Sequence, residues 1–200
     1  MVDIEFGIPF FRYHLDSKEL KDIALKKNSN YSNLPINQTP KGWDCNLKTE
    51  FSQSLKVVDE YSMYYDGIIK QFSDDVGLKE CRCYIDEALL NLYSDNMDQE
   101  EHDHAPGFYS GIHYIKFDSS HGATKFRHPM YNLFCYAYKD VDAQMPDEFY
   151  IPEVEEGDVI IFPSFMRHRV APNHSENLRI TMAFNINTIK GSTRRVFRPE

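Results

Sequence analysis

HDHAPGFYSGIHY, residues 102–114, decides how the rest of the chain is read. Two histidines one residue apart stand directly before an alternating apolar segment. On an extended strand the side chains repeat every two residues, so His102 and His104 share a face and Asp103 points away. Two imidazoles on one face suit a metal ion, although two surface histidines have the same spacing. A third candidate, His168, stands in GDVIIFPSFMRHRVAP (157–172), where a tight turn feeds a wholly apolar strand and basic residues precede Pro172. Polar groups on the rim just past a buried strand are where binding residues collect. In NLRITMAFN (177–185), Arg179, Thr181 and Ala183 share a face. A guanidinium entering an apolar strand is costly unless paired, and a bidentate carboxylate pairs it best. The alternative is an internal ion pair with one of the many Asp or Glu residues.

Outward from these segments, 200 residues with 42% hydrophobic and 14% aromatic content can bury a full-sized core in a single domain, 1–200. The formal charge of −9 opposes general binding to nucleic acid or to an anionic membrane. No apolar run approaches twenty residues, and MVDIEFGIPFF has acids where a signal peptide needs a basic start. A cytoplasmic protein without membrane association is expected. Cys45, Cys81, Cys83 and Cys135 form no C-x-x-C pair and read as reduced thiols.

The chain divides into a strand and helical extension (1–80), a β-rich core (81–190) and a basic tail (191–200). Residues 1–15 read as one opening strand interrupted by Pro9. Asp16 or Ser17 caps a helix, 18–27, with Leu20, Ile23 and Ala24 on its apolar side. Turn residues fill 28–46, where Trp43 anchors the loop to the body. Phe51, Leu55, Val58, Tyr65, Ile69 and Phe72 recur at three- and four-residue steps, predicting a helix over about 50–73 on the outside of a sheet. Beyond residue 80, FYSGIHYIKF, GATKFRH, YNLFCYAY, DEFYIPEV, GDVIIFPS, HRVAP and RITMAFNIN are short aromatic and β-branched segments broken by turn residues, the pattern of a sandwich or jelly roll. CRCYIDEALL is ambiguous between strand and helix. The tail reads as mobile basic surface. Among the other histidines, His113 reads as a hydrogen-bonded strand residue, His121 and His128 as surface groups beside turns, and His14 and His174 carry no pattern.

HDHAPGFYSGIHYIKF, GDVIIFPSFMRHRVAP and RITMAFN, in this order, resemble the 2-oxoglutarate/iron(II)-dependent oxygenases of the double-stranded β-helix fold, nearest a branch found in bacteria and phages. The resemblance covers about 85–188, and GDxxxFPSxxxHxV followed by RxTxxFN carries its specificity. It implies an all-β, cupin-like jelly roll with flanking N-terminal helices, iron(II) as metal and 2-oxoglutarate as co-substrate, in the cytoplasm of a bacterium or a phage-infected cell. It places His102 and His104 at the first two metal-ligand positions and His168 at the distal one. Arg179 matches the residue that binds the far carboxylate of 2-oxoglutarate, with Thr181 bonded to the same group. Tyr114 and Asn91 fall where further polar contacts to the co-substrate arise. No catalytic residue beyond the metal ligands is implied.

The family pattern is His-x-Asp with a distant histidine, and here the third position is His104. Either the site has three histidines or Asp103 swings in through an irregular strand; strand geometry favours His104. Three imidazoles leave iron(II) near +2, balancing a dianionic keto acid, but they suit zinc as well. The implied reaction turns 2-oxoglutarate and dioxygen into succinate and carbon dioxide while hydroxylating a substrate C–H bond. A zinc-dependent hydratase or hydrolase, a cupin-like isomerase or dioxygenase without keto acid, and a non-catalytic metal-binding jelly-roll module stay open. Arg179 after His168 favours the first, because a keto acid co-substrate demands a buried cation there. The substrate, a small molecule or a protein side chain, is left open. Loops 28–46 and 119–132 are expected at the mouth, with Lys125 and Arg127 as solvated charges.

Overall fold

The computed structural model describes residues 2–16, 18–31, 48–52, 55–79, 81–140, 142 and 144–190. Two strands open the chain, β1 (Val2–Glu5) and β2 (Ile8–His14), where a single one was expected. Phe6 and Gly7 between them take φ of 55° and 75°, the two positive values that the tightest antiparallel turn requires. There follow α1 (Lys18–Tyr31), β3 (Lys48–Ser52), α2 (Leu55–Asp75), β4 (Cys81–Tyr93), β5 (Gln99–His102), β6 (Tyr109–Lys116) and β7 (Thr124–Arg127). The remainder is α3 (Tyr131–Ala137), β8 (Phe149–Tyr150), β9 (Asp158–Pro163), β10 (His168–Val170) and β11 (Arg179–Lys190). The strands form a seven-stranded sheet, β1-β2-β9-β6-β11-β4-β3, and a four-stranded sheet, β5-β10-β7-β8, of antiparallel pairs. This is the jelly roll expected from the sequence.

Alternation along β9 shows how the layers are built. Val159 and Ile161 face a core shared with Leu20 and Ala24 of α1 and Tyr61, Tyr65 and Phe72 of α2. Ile160 and Phe162 face a second core with Phe10, Ile112, Tyr114, Phe126 and Met166, which joins the two sheets. With both faces covered, the strand reads as one unbroken apolar run. Each such side chain contributes about 1.5–3 kcal/mol on burial. Gly111 of β6 stands opposite Phe184 of β11, and a Cβ there would lie 2.2 Å from the Phe184 ring. The aromatic ring takes the space a side chain would need.

Other elements depart from or resolve the expectations, beginning with α1, which runs on to Tyr31 instead of ending at 27. Phe51 belongs to β3, paired with Leu89, and the helix begins only at Leu55; the step from 51 to 55 is common to the helical stripe and to a strand that stops short of it. CRCYIDEALL is strand throughout, held on one side by β11 and along its second half by β3. YNLFCYAY is α3 and buries no residue; Phe134 and Tyr138 stack four positions apart at 6.0 Å. Trp43, Cys45, positions 32–46 of the 28–46 loop, and the 191–200 tail lie outside the described residues. Cys81, Cys83 and Cys135 are free thiols. No helix among the described residues is long and apolar enough to cross a membrane.

His121 and His128, expected at the surface, are buried, because each serves a turn that needs an internal acceptor. The Asp118 amide donates to His121 Nδ1, whose Nε2–H donates to the Asn177 carbonyl; the Met130 amide donates to His128 Nδ1. Arg127 is not simply solvated: it is paired with Glu101 at 2.6 Å and Glu148 at 2.5 Å.

His113 is buried with both ring nitrogens bonded, Nε2–H donating to the Leu15 carbonyl at 3.1 Å and Nδ1 accepting from the Tyr65 hydroxyl at 2.8 Å. Burial lowers its pKa to about 4, against 6.5 when exposed. Above pH 6.5 the ring is neutral in both folded and unfolded chains. Between 6.5 and about 4 only the unfolded chain takes up the proton, so stability falls as the pH falls through this window. The loss is expected to reach about 3 kcal/mol from this residue. Urea denaturation of wild type and His113→Asn between pH 7 and 4 checks it: the variant should lose less stability across the window.

A candidate metal centre

The minor sheet brings two of the three predicted histidines together by register. His168 of β10 stands directly opposite His102, the last residue of β5. His104 lies two residues beyond the strand, so shared strand alternation does not bring it in. A turn does: the His104 amide donates to the Ser164 carbonyl at 2.8 Å, and its own carbonyl accepts from the Gly107 amide at 2.9 Å. The ring centroids are separated by 5.0 Å (His102–His104), 4.4 Å (His102–His168) and 5.2 Å (His104–His168), and one ligand atom from each lies within 4.8 Å of the others. Asp103 is exposed and accepts from the Ala105 amide through Oδ1 at 3.1 Å, capping the turn.

Two backbone carbonyls set the tautomers. His102 Nδ1–H donates to the Glu100 carbonyl at 2.8 Å and His168 Nδ1–H to that of Met166 at 2.9 Å, which leaves the lone pair on Nε2 of each ring. Burial lowers the pKa of His102, takes His104 to about 4, and, with the two neighbouring imidazoles, depresses His168 well below 6.5. Three neutral imidazoles at neutral pH are metal ligands in their binding state.

The histidines share a cavity with Asn91, Thr181, Tyr93 and Thr124. Thr181 stands opposite Asn91 on β4 and Tyr114 on β6, so these predicted residues meet across one sheet face. Arg179 is 1% exposed, and its Nε and Nη2 have no hydrogen-bond partner among the described residues. Its guanidinium lies over the rings of Tyr93 at 4.8 Å, Tyr114 at 5.8 Å and Phe117 at 5.8 Å. Arg179 does not itself line the cavity; Tyr93, against which it rests, does. The internal carboxylate that could have satisfied it is absent among the described residues. Thr124 Oγ1, fully buried on the cavity wall, also has no partner among them. A buried cation and a hydroxyl awaiting a partner beside three imidazoles describe a site for a metal and an anion.

Gln99, Tyr93 and Thr124 line this cavity without having been singled out from the sequence. Gln99 was hidden by a bulge. Between His168 and Val170, two positions apart on β10, β5 runs from His102 to Gln99, three positions apart. The extra residue reverses the alternation and turns Gln99 to the histidine side.

Residues 89–185 match the family model described as "Putative 2OG-Fe(II) oxygenase". The fold is shared with a prolyl-4-hydroxylase from Pseudomonas putida, 12% identical with a TM-score of 0.57, over 89% of this chain and 92% of that one. An oxidoreductase of the 2OG-Fe(II) oxygenase family from Burkholderia pseudomallei is 12% identical with a TM-score of 0.56, over 94% and 89%. HygX from Streptomyces hygroscopicus, solved with nickel and 2-oxoglutarate bound, is 11% identical with a TM-score of 0.55, over 89% and 82%. At these identities the likeness is one of fold. No curated protein matches by sequence.

Proposed function

We propose that this chain, whose residues 89–185 match the 2-oxoglutarate/iron(II)-dependent oxygenase model, is such an oxygenase and hydroxylates a C–H bond of a small molecule or protein side chain. Iron(II) is held by His102, His104 and His168, and 2-oxoglutarate is clamped by Arg179. The support for this pairing is the buried guanidinium with two unbonded nitrogens behind the cavity that holds the three imidazoles. A hydratase working with zinc and water has no use for that cation.

Bound iron(II) supplies the activation of dioxygen that couples decarboxylation of 2-oxoglutarate, giving succinate and carbon dioxide, to substrate oxidation. The chain's own residues do the rest. The carbonyls of Glu100 and Met166 hold His102 and His168 in the ligating tautomer. Arg179, with Thr181 and Tyr114 beside it, receives the distal carboxylate, and Asn91 and Thr124 add polar contacts. Leu89, Phe162 and Val170 wall the cavity with apolar surface and limit water near the reacting atoms. Anaerobic protein given iron(II) and 2-oxoglutarate and then exposed to air should release succinate. Tight zinc binding with no succinate would return the hydratase reading.

The ligand set is separately testable. Asp103→Asn keeps an oxygen to accept from the Ala105 amide, so iron(II) affinity is expected to stay within a few-fold of wild type, whereas His104→Ala should lower it by more than about tenfold. Calorimetric titration with iron(II) under nitrogen reads both. A large loss with Asp103→Asn alone would make the carboxylate the ligand.

A further inference from the structure

Gln99 joins the histidines to the residues around Arg179. Its Nε2 lies 3.3 Å from His102 Nε2, and its Oε1 accepts from the Tyr93 hydroxyl at 3.0 Å. The bonds determine which way the amide faces. Because the Glu100 carbonyl takes the Nδ1–H of His102, the lone pair is on Nε2, and only the NH₂ end of Gln99 can face it. The carbonyl end then faces Tyr93, which donates. The ring of the same Tyr93 supports the guanidinium of Arg179 at 4.8 Å. One tyrosine thus carries the cation on its ring face and fixes the amide with its hydroxyl.

Resting on the oxygenase reading above, we propose that Gln99 orients the metal end of the keto acid, its N–H donating to an oxygen of the bound 2-oxoglutarate while Tyr93 holds its carbonyl. When a metal ion takes the His102 lone pair, Gln99 loses its acceptor but keeps Tyr93. Its side chain is buried, and a buried donor must find another acceptor. The three imidazoles have none to offer; the carboxylate and keto oxygens of the co-substrate are the acceptors at that position. Gln99 is therefore a binding residue whose effect is read at the keto acid and not at the iron.

The test uses the full chain under nitrogen with iron(II), following the visible charge-transfer band that appears when 2-oxoglutarate binds. Gln99→Glu is isosteric and still accepts from Tyr93, but it has no N–H and adds negative charge; Gln99→Leu removes both polar atoms. Iron(II) affinity should stay within a few-fold of wild type in Gln99→Leu, while in Gln99→Glu the added carboxylate beside the ion should hold iron at least as tightly. The Kd for 2-oxoglutarate should rise about tenfold in Gln99→Leu and further in Gln99→Glu, with the band maximum displaced. Should Gln99→Leu fail to fold, Tyr93→Phe, which releases the amide carbonyl, should displace the band in the same direction with iron binding intact. Wild type without a band would defeat the oxygenase reading itself. A wild-type band with unchanged Kd and band position in the Gln99 variants would overturn the role of Gln99. Loss of iron binding in both Gln99 variants would overturn it as well, making Gln99 a support for the ligands.

Discussion

Replacing His168 with alanine is expected to abolish iron binding and succinate formation together while the protein stays folded. His168 is the one proposed ligand supplied from outside the 102–104 segment; the residue is 3% exposed, with Nδ1 fixed on the Met166 carbonyl. It is pre-placed opposite His102, so little ordering is left for the metal to impose. Without it the ion meets two imidazoles two residues apart and no third protein ligand. Loss of an outer partner of a metal ligand costs about 10–100-fold in affinity, and loss of the ligand itself should exceed that. Anaerobic iron titration gives the affinity, and far-ultraviolet circular dichroism gives the fold. Iron affinity retained in His168→Ala would remove it from the ligand set.

Arg179→Met is expected to move stability and function in opposite directions. In the protein without co-substrate the guanidinium is buried and two of its nitrogens lack partners, a cost offset only in part by the faces of Tyr93, Tyr114 and Phe117. Methionine of similar length fills the space without that cost, and stability should rise by about 1–4 kcal/mol. The keto acid loses its cation at the same time. An unpaired buried charge costs about 3–5 kcal/mol, so the affinity for 2-oxoglutarate should fall roughly 10²–10⁴-fold. Arg179→Lys keeps the charge without the planar fork and should fall between the two. Thermal unfolding with and without 2-oxoglutarate measures both effects: wild type should be raised by the co-substrate and Arg179→Met should not. A methionine variant that is less stable and still raised by 2-oxoglutarate would place the anion elsewhere.

The parts of the fold that could be read from sequence were those where local pattern and burial agree. β9 was legible because apolar cover on both faces leaves no polar position in Val159–Phe162. His168 and Arg179 stood out as polar groups set against apolar strands. His102 and His104 were legible as a pair for a reason the structure replaces: the strand ends at His102, and the turn pinned by Ser164 and Gly107 carries His104 to its neighbours. Gln99 was not legible, because counting by twos cannot see a bulge. YNLFCYAY reads as strand because aromatic composition suits strands, whereas the segment forms a short helix that buries no residue. His121 and His128 were misread because their partners are backbone groups of turns.

Anaerobic crystals of the protein grown with iron(II) and 2-oxoglutarate and measured at the iron edge bear most directly on the site as a whole. One anomalous peak bonded to His102 Nε2, His104 and His168 Nε2 is expected, chelated by the keto acid, with the distal carboxylate on Arg179. Iron bound elsewhere, or a carboxylate that leaves Arg179 untouched, would contradict the proposed site.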